Sequence, residues 1–215
     1  MLNLWLRRND TRVPFRNETI AKTVSFNTMT DASFLNKWNE LELQKALPTS
    51  RNKFGLDQKS IEFLFDIGLP NDVLELSFDY LTEDLQTVNE AYKINDSDFD
   101  KYVCIGFNGS GDPIGINIEN GEIVYLNHDD GFKEVYINAD IEKFARCGIE
   151  IIEFQNNLKK FKPESYFSTE FSDEELTHLQ NNLTQIDNKI FDHDTHWNHT
   201  VEYWIWERQD ERNKY

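Results

Sequence analysis

The residues best suited to chemistry lie in the segment DHDTHWNH, residues 192–199. His193, His196 and His199 recur at every third position, with Asp192 and Asp194 beside them. Imidazole and carboxylate donors together suit zinc or iron. On a helix His196 and His199 share a face, and His193 falls at or before the first turn. These histidines are therefore the metal candidates of the chain and the sole motive for reading it as a metal-dependent hydrolase. Neither a general base nor a second paired cluster accompanies them, as strong metal motifs require. The plainer reading is a polar, solvated helix start, and no metal or other cofactor is expected.

Carboxylates offer a second kind of chemistry. Asp112, Asp129 and Asp130 flank a hairpin, but the loop lacks the alternating oxygen ligands of a calcium hand. An acid–base pair also needs a pocket that raises one pKa. Asp112 reads better as a turn former, and His128-Asp129-Asp130 as a solvated acidic corner. GFNGSGD, residues 106–112, has the glycines of a phosphate loop, but it does not run from a strand into a helix and no lysine follows. No nucleophile elbow occurs. Cys104 and Cys147 lie in apolar runs and read as small buried hydrophobes rather than as a disulfide or a thiol dyad. No catalytic residue is assigned.

The elements that position these groups follow from periodicity. Thr30 or Asp31 caps a helix with Phe34, Leu35 and Trp38 on one face. Asp57 caps the next helix, whose body holds Ile61, Phe63, Leu64 and Phe65, and Gly68 and Pro70 end it. Leu74, Leu76, Phe78 and Tyr80 alternate as a strand within 73–80. Residues 81–100 read as a polar, acidic surface loop with room for a helical turn. Tyr102 to Phe107 is an apolar strand. Ile114, Ile116 and Ile118 then alternate, Asn120-Gly121 suits a two-residue turn, and Ile123 to Leu126 returns. Phe132 to Ile137 is a further strand, after which Asn138 caps a long helix through Ile141, Phe144, Ala145, Ile152 and Leu158. Ser172 and Glu175 form a capping-box pattern before Leu176, Leu179, Leu183, Ile186 and Ile190. The segment 195–208 fits a helix better than a strand, capped by Asp194 or Thr195. Of its aromatics Trp197, Tyr203, Trp204 and Trp206, one or two at most are expected on the surface. Helices, then strands in succession, then helices indicate an α+β fold with a mostly antiparallel, curved sheet of about five or six strands flanked by helices.

Composition narrows the partners. The chain has 215 residues and a formal net charge of −17. Residues 1–50 carry +2, so the remainder carries −19. Such a field opposes binding to nucleic acid or to anionic membrane and favours a cationic protein partner. The start, MLNLWLRR, has its arginines after a very short apolar run, unlike a secretory signal. The expected location is cytoplasmic. Asp96, Asp98 and Asp100 in one loop, with Asp129 and Asp130 in the corner, are the partner-binding candidates, because exposed loops on a rigid sheet carry contacts.

Two separated blocks resemble one family. The first is MTDASFLNKWNE (29–40), Leu-Pro at 47–48 and IEFLFDIGLPNDV (61–73); the second is GFNGSGDPIGINIENGEIVYLNHDDGFKEVYINADIEKFA (106–145). Both are similar to the SUKH superfamily of bacterial immunity proteins, and most to its fourth subfamily, with Trp197 standing for a tryptophan typical near the chain end. The resemblance spans roughly residues 29–205. It implies a single α+β domain over 29–215 with an N-terminal extension over 1–28, and no shared catalytic residues. It further implies binding and neutralisation of a polymorphic toxin, often a nuclease. Gly111, Asp112 and Pro113 match its motif as turn formers. An adaptor or regulatory protein-binding module of the same fold is the alternative, and the histidine-based hydrolase a lesser one.

Overall fold

A computed structural model of the protein describes residues 31–159 and 169–213. The expected extension over 1–28 and the cap at Thr30 lie outside them. Helix α1 (Asp31–Asn39) comes first, then a two-residue strand β1 (Leu43–Gln44). Helix α2 (Gln58–Ile61) opens on Asp57, whose side chain accepts from Ser60 N, and widens into a π-helical turn, Glu62–Ile67. Gly68 ends that turn at φ 105°, where a Cβ would also meet the Gln44 carbonyl oxygen at 2.8 Å. Strand β2 (Leu69–Pro70) pairs with β1 in a small separate ribbon.

The main sheet is antiparallel and has seven strands. It contains β3 (Asp72–Val73), β4 (Leu76–Ser77), β5 (Gln86–Thr87), β6 (Tyr102–Phe107), β7 (Pro113–Asn117), β8 (Ile123–Asn127) and β9 (Lys133–Asn138). The order is β3-β4-β6-β7-β8-β9, and β5 also pairs with β6. Thus one edge of β6 is divided: β4 meets it at Phe107 and β5 at Val103 and Cys104. Register shifts at Cys104/Gly106 and Ile123/Val124 bend the sheet. Gly106 is obligatory at the first of these, since a Cβ there would stand 1.9 Å from the Ser77 carbonyl oxygen.

Both faces of the sheet are covered, which is why β6 reads as a continuous apolar run. Val103 and Ile105 join the main core with Ile114, Ile116, Ile123 and Ile137. That core is closed by α1, the long helix α4 (Ile141–Lys159), α5 (Asp173–Ile186) and α6 (His196–Asn213). Tyr102 and Cys104 point the other way, into a smaller core with Val88, Val124 and Leu126. Helix α3 (Val88–Tyr92), held by a Thr87/Glu90 capping box, covers that side.

Several local expectations are corrected. Leu35 is on the exposed side of α1, whereas Phe34 and Trp38 are buried. Residues 73–80 do not form one strand. They turn back at Leu74, with φ 53°, into the β3–β4 hairpin and then enter a 3-10 turn, Asp79–Thr82. The stretch 81–100 is more than a surface loop, because Leu81, Leu85 and Val88 are fully or almost fully buried. The β7–β8 connection is longer than two residues: β7 stops at Asn117, Ile118 is exposed, and Gly121 alone among the loop residues has positive φ. Ile190 is buried beyond the end of α5.

Asn138 also does not cap α4. Asp140 does, accepting from Lys143 N at 2.8 Å. Asn138 is instead fully buried in a polar node. Asp187, on the link from α5 to α6, receives Tyr136 OH (2.8 Å), Asn138 Nδ2 (3.1 Å) and Ala139 N (2.9 Å) on one oxygen, and Lys189 N (3.3 Å) on the other. Asn138 Oδ1 accepts from Trp197 Nε1 at 3.0 Å. Burial by itself pushes the Asp187 carboxyl up, but these donors outweigh it and hold its pKa below the ordinary carboxylate value.

Two predictions follow from this packing. Asp187→Asn replaces one accepting oxygen with an amide NH2 that faces donors, and costs about 2–4 kcal/mol in urea unfolding at neutral pH. A depressed pKa gives stability that is full above the unfolded value and lost as pH falls through the folded one, so the gap between wild type and variant narrows below about pH 4; a constant gap contradicts the assignment. Gly106→Ala forces backbone apart and lowers stability by about 1–3 kcal/mol, and an unchanged unfolding midpoint would show that β4 does not press on β6.

Candidate functional site

Four elements converge on one cavity of about 550 Å3. The β3–β4 turn supplies Leu74 and Glu75, and the β6–β7 loop supplies Asn108, Ser110 and Asp112. From β8 and the turn after it come Tyr125, Asn127 and Asp129, and from α6 come His196, His199, Thr200, Tyr203 and Trp204.

The loop forming its floor is built on itself. Asn108 Oδ1 accepts from Ser110 N (3.0 Å) and Asp112 N (2.9 Å), and Asn108 Nδ2 donates to Asp112 Oδ2 at 2.8 Å. Gly111, at φ 84°, completes the reversal. Asp112 Oδ1 accepts from His128 N at 2.9 Å and lies 2.5 Å from His128 Nδ1. Asp112 is therefore buried and satisfied, clamping the β6–β7 loop to the end of β8. This is the turn-forming role expected of it, extended by a long-range clamp that the local pattern does not reveal. Tyr92 OH of α3 donates to Gly111 O at 2.9 Å and braces the same loop.

The opposite wall is α6. Its start is set by Thr195, whose Oγ1 accepts from Asn198 N at 3.4 Å and whose carbonyl accepts from His199 N at 3.1 Å. The helix expected there is present. Trp197 and Trp204 are buried, while Tyr203 (47% exposed) and Trp206 (57% exposed) form an outward pair with ring centroids 5.9 Å apart.

The histidines part company. His193 is 90% exposed beside Asp194, 3.0 Å away, and His199 Nε2 is 3.8 Å from the same carboxylate. His196 turns inward, edge-on to Tyr125 and Trp197. Its Nδ1 is 3.8 Å from Glu75 Oε1, beyond hydrogen-bonding reach, and its buried Nε2 has no partner. Burial, aided by the neighbouring His199, lowers the pKa of His196 to about 3. Desolvation raises Glu75 above its usual value. Among the described residues no group of three or more His, Cys, Asp or Glu side chains is placed to hold a metal ion. Burial pushes the Cys104 thiol up to about 12 and Cys147 up as well, so neither supplies a thiolate at neutral pH.

The acidic candidates differ in their bonding. Asp96 accepts from Asp98 N (3.0 Å), and Asp100 accepts from Asn89 Nδ2 (2.8 Å) and Thr87 Oγ1 (3.3 Å), so both shape their loop. All five, Asp96, Asp98, Asp100, Asp129 and Asp130, are exposed. Phe99 of the first loop packs on Phe132, just past the second, with ring centroids 5.6 Å apart, which brings the two loops side by side. Only Asp129 reaches the cavity. Sequence reasoning missed Glu75 and Tyr125: each sits in an ordinary apolar stretch, and only the pairing of strands and the seating of α6 bring them together.

The fold is α+β, and its cavity is walled by carboxylates and aromatic rings. In comparison with known families, a family model described as SUKH-4 immunity protein matches residues 37–203. The chain belongs to the SUKH-4 immunity protein family. No curated protein and no solved structure matches it. Among the described residues no helix is long and apolar enough to cross a membrane.

Because the pKa of His196 is lowered on folding, the unfolded chain binds the extra proton first. The stability that His196 contributes is full above about pH 6.5 and is lost as pH falls toward the folded value. Replacing it, as in His196→Gln, flattens the stability profile by up to about 2 kcal/mol between about pH 6.5 and 5. Urea titrations at several pH values, with an NMR titration of the imidazoles, check this. A profile of unchanged slope, or a His196 that titrates like free histidine, contradicts a neutral buried ring.

Proposed function

We propose that this protein binds a toxin, covers a positively charged surface on it, and so neutralises it without making or breaking a covalent bond. Membership of the immunity protein family carries the reading. The charge supports it: −17 for the whole chain, with −19 outside residues 1–50. A nuclease of the polymorphic toxin class fits best, since it must offer lysine and arginine to phosphate, and an acidic partner is steered to that surface and occludes it. We place the encounter in the bacterial cytoplasm. Asp96, Asp98, Asp100, Asp129 and Asp130, all exposed, are proposed as partner-binding residues, with Asp96 and Asp100 also holding their loop in shape.

Co-expression with a toxin encoded in a neighbouring reading frame tests the reading, growth being restored only when this chain is present. With the purified pair, the association rate falls steeply as salt rises, and the double substitution Asp129→Asn, Asp130→Asn slows it about two- to tenfold. A rate indifferent to salt would remove electrostatic steering from the mechanism. Failure to restore growth or to bind would remove the toxin as partner.

A further inference from the structure

We infer that the cavity beneath α6 is a receptor for a guanidinium group, and that an arginine side chain projecting from the partner protein enters it between Glu75 and His196 with Tyr203 as its cover. The inference rests on the toxin-binding reading for the source of the arginine, and on the cavity alone for the chemistry.

Three observations converge on that ligand. First, the walls carry the carboxylates of Glu75, Asp112 and Asp129, and no lysine or arginine stands among the described wall residues. Asp112 has its oxygens occupied by Asn108 and His128, so it contributes charge at the floor rather than contact. Glu75 lies against the cavity with its carboxylate available, and Asp129 stands at the mouth, its side chain 87% exposed.

Second, His196 is a wall residue only 4% exposed, yet its Nε2 has no hydrogen-bond partner. Its Nδ1 stops 3.8 Å from Glu75 Oε1. Buried polar groups are ordinarily satisfied. Nε2 is closed off within the fold, so the nitrogen open to a ligand is Nδ1, on the Glu75 side. A neutral imidazole whose Nδ1 accepts asks for a donor, and a donor that carries positive charge satisfies Nδ1 and Glu75 at once. Guanidinium, with five N–H groups in a planar fork, meets two acceptors at an angle that a single ammonium point charge does not.

Third, the remaining walls are aromatic. Tyr125, Tyr203 and Trp204 line the cavity, and cations are held over such faces, arginine more often than lysine. The space, about 550 Å3, falls within the range of roughly 300–1,000 Å3 typical of ligand sites. The exposed pair Tyr203–Trp206 beside the mouth offers the apolar surface on which the chain around an inserted arginine settles, the composition found at interface hot spots.

The test uses the full chain and two probes, N-acetyl-arginine-N-methylamide and its norleucine counterpart, followed by NMR of the histidine and aromatic side chains. The arginine probe is expected to shift the resonances of His196, Tyr125 and Tyr203 with affinity on the order of millimolar, and the norleucine probe to leave them in place. Glu75→Gln, on an exposed turn, is expected to weaken the arginine probe about fivefold or more. Thr200→Trp, which fills the cavity, is expected to abolish its binding while far-UV circular dichroism shows the fold retained. The proposal is overturned if the arginine probe moves nothing, or if it binds Glu75→Gln as tightly as wild type. A second arm uses toxin co-expression. If wild type and Thr200→Trp restore growth equally, the cavity is not where the toxin docks and the immunity reading stands without it. If wild type restores nothing while the arginine probe still binds, the toxin reading fails and the guanidinium site survives.

Discussion

A single buried carboxylate organises the assembly of this domain. Asp187 collects hydrogen bonds from the end of β9, from the turn into α4 and from its own connecting segment. A buried charge without such partners would be strongly destabilising. Here four donors make the ionised state the favoured one, so the chain is compelled to bring the α5–α6 link to that corner of the sheet. Asn138 passes the constraint on: it donates to Asp187 and accepts from Trp197, and in doing so sets where α6 begins its run across the sheet. Apolar packing among the isoleucines of the core is non-directional. The polar node supplies the direction.

The position of the cavity is a consequence of that seating. Once Trp197 is anchored, His196 is carried inward against Tyr125, and Thr200, Tyr203 and Trp204 follow on successive turns to form a wall. The facing wall is held independently, by Asp112 gripping both its own loop and His128 at the end of β8. Two separate polar clamps therefore set the two sides of one concavity, and the β3–β4 turn, with Leu74 in the left-handed region, brings Glu75 to its rim. Non-glycine residues in that conformation are uncommon and cluster at functional places.

What was legible in the sequence was local. Caps at Asp57 and Ser172, the stop at Gly68, the stripe Leu176–Leu179–Leu183 and the strand over 102–107 each depend on neighbours a few residues apart, and each is present. The α6 helix was readable for the same reason. The errors share a different origin. Asn138 looked like a cap because it precedes a helix, but its side chain bonds Cys147 Sγ within that helix and, 49 and 59 residues away, Asp187 and Trp197. The alternation over 73–80 concealed a hairpin because β3 and β4 are only two residues each, too short for a period to declare itself. The histidine spacing suggested one cluster, yet His196 followed the buried face of α6 while His193 lay outside the helix and stayed in solvent. Family resemblance singled out Trp197 and, separately, the block 106–145 that contains Asn138; their contact is visible only in the structure.

The divided edge of β6 bears on how any partner can dock. Two short segments, β5 and β4, take up successive parts of that strand's free side, and Gly106 lets the second approach where no side chain could fit. A foreign polypeptide therefore finds no continuous ladder to extend there, and at the β9 margin of the sheet it meets the exposed charges of Lys133 and Glu134. Strand addition, a common route both to peptide capture and to fibrous self-association, is blocked at that β6 edge and opposed at the β9 margin, leaving recognition to side chains and keeping copies of this chain from zipping together through these edges.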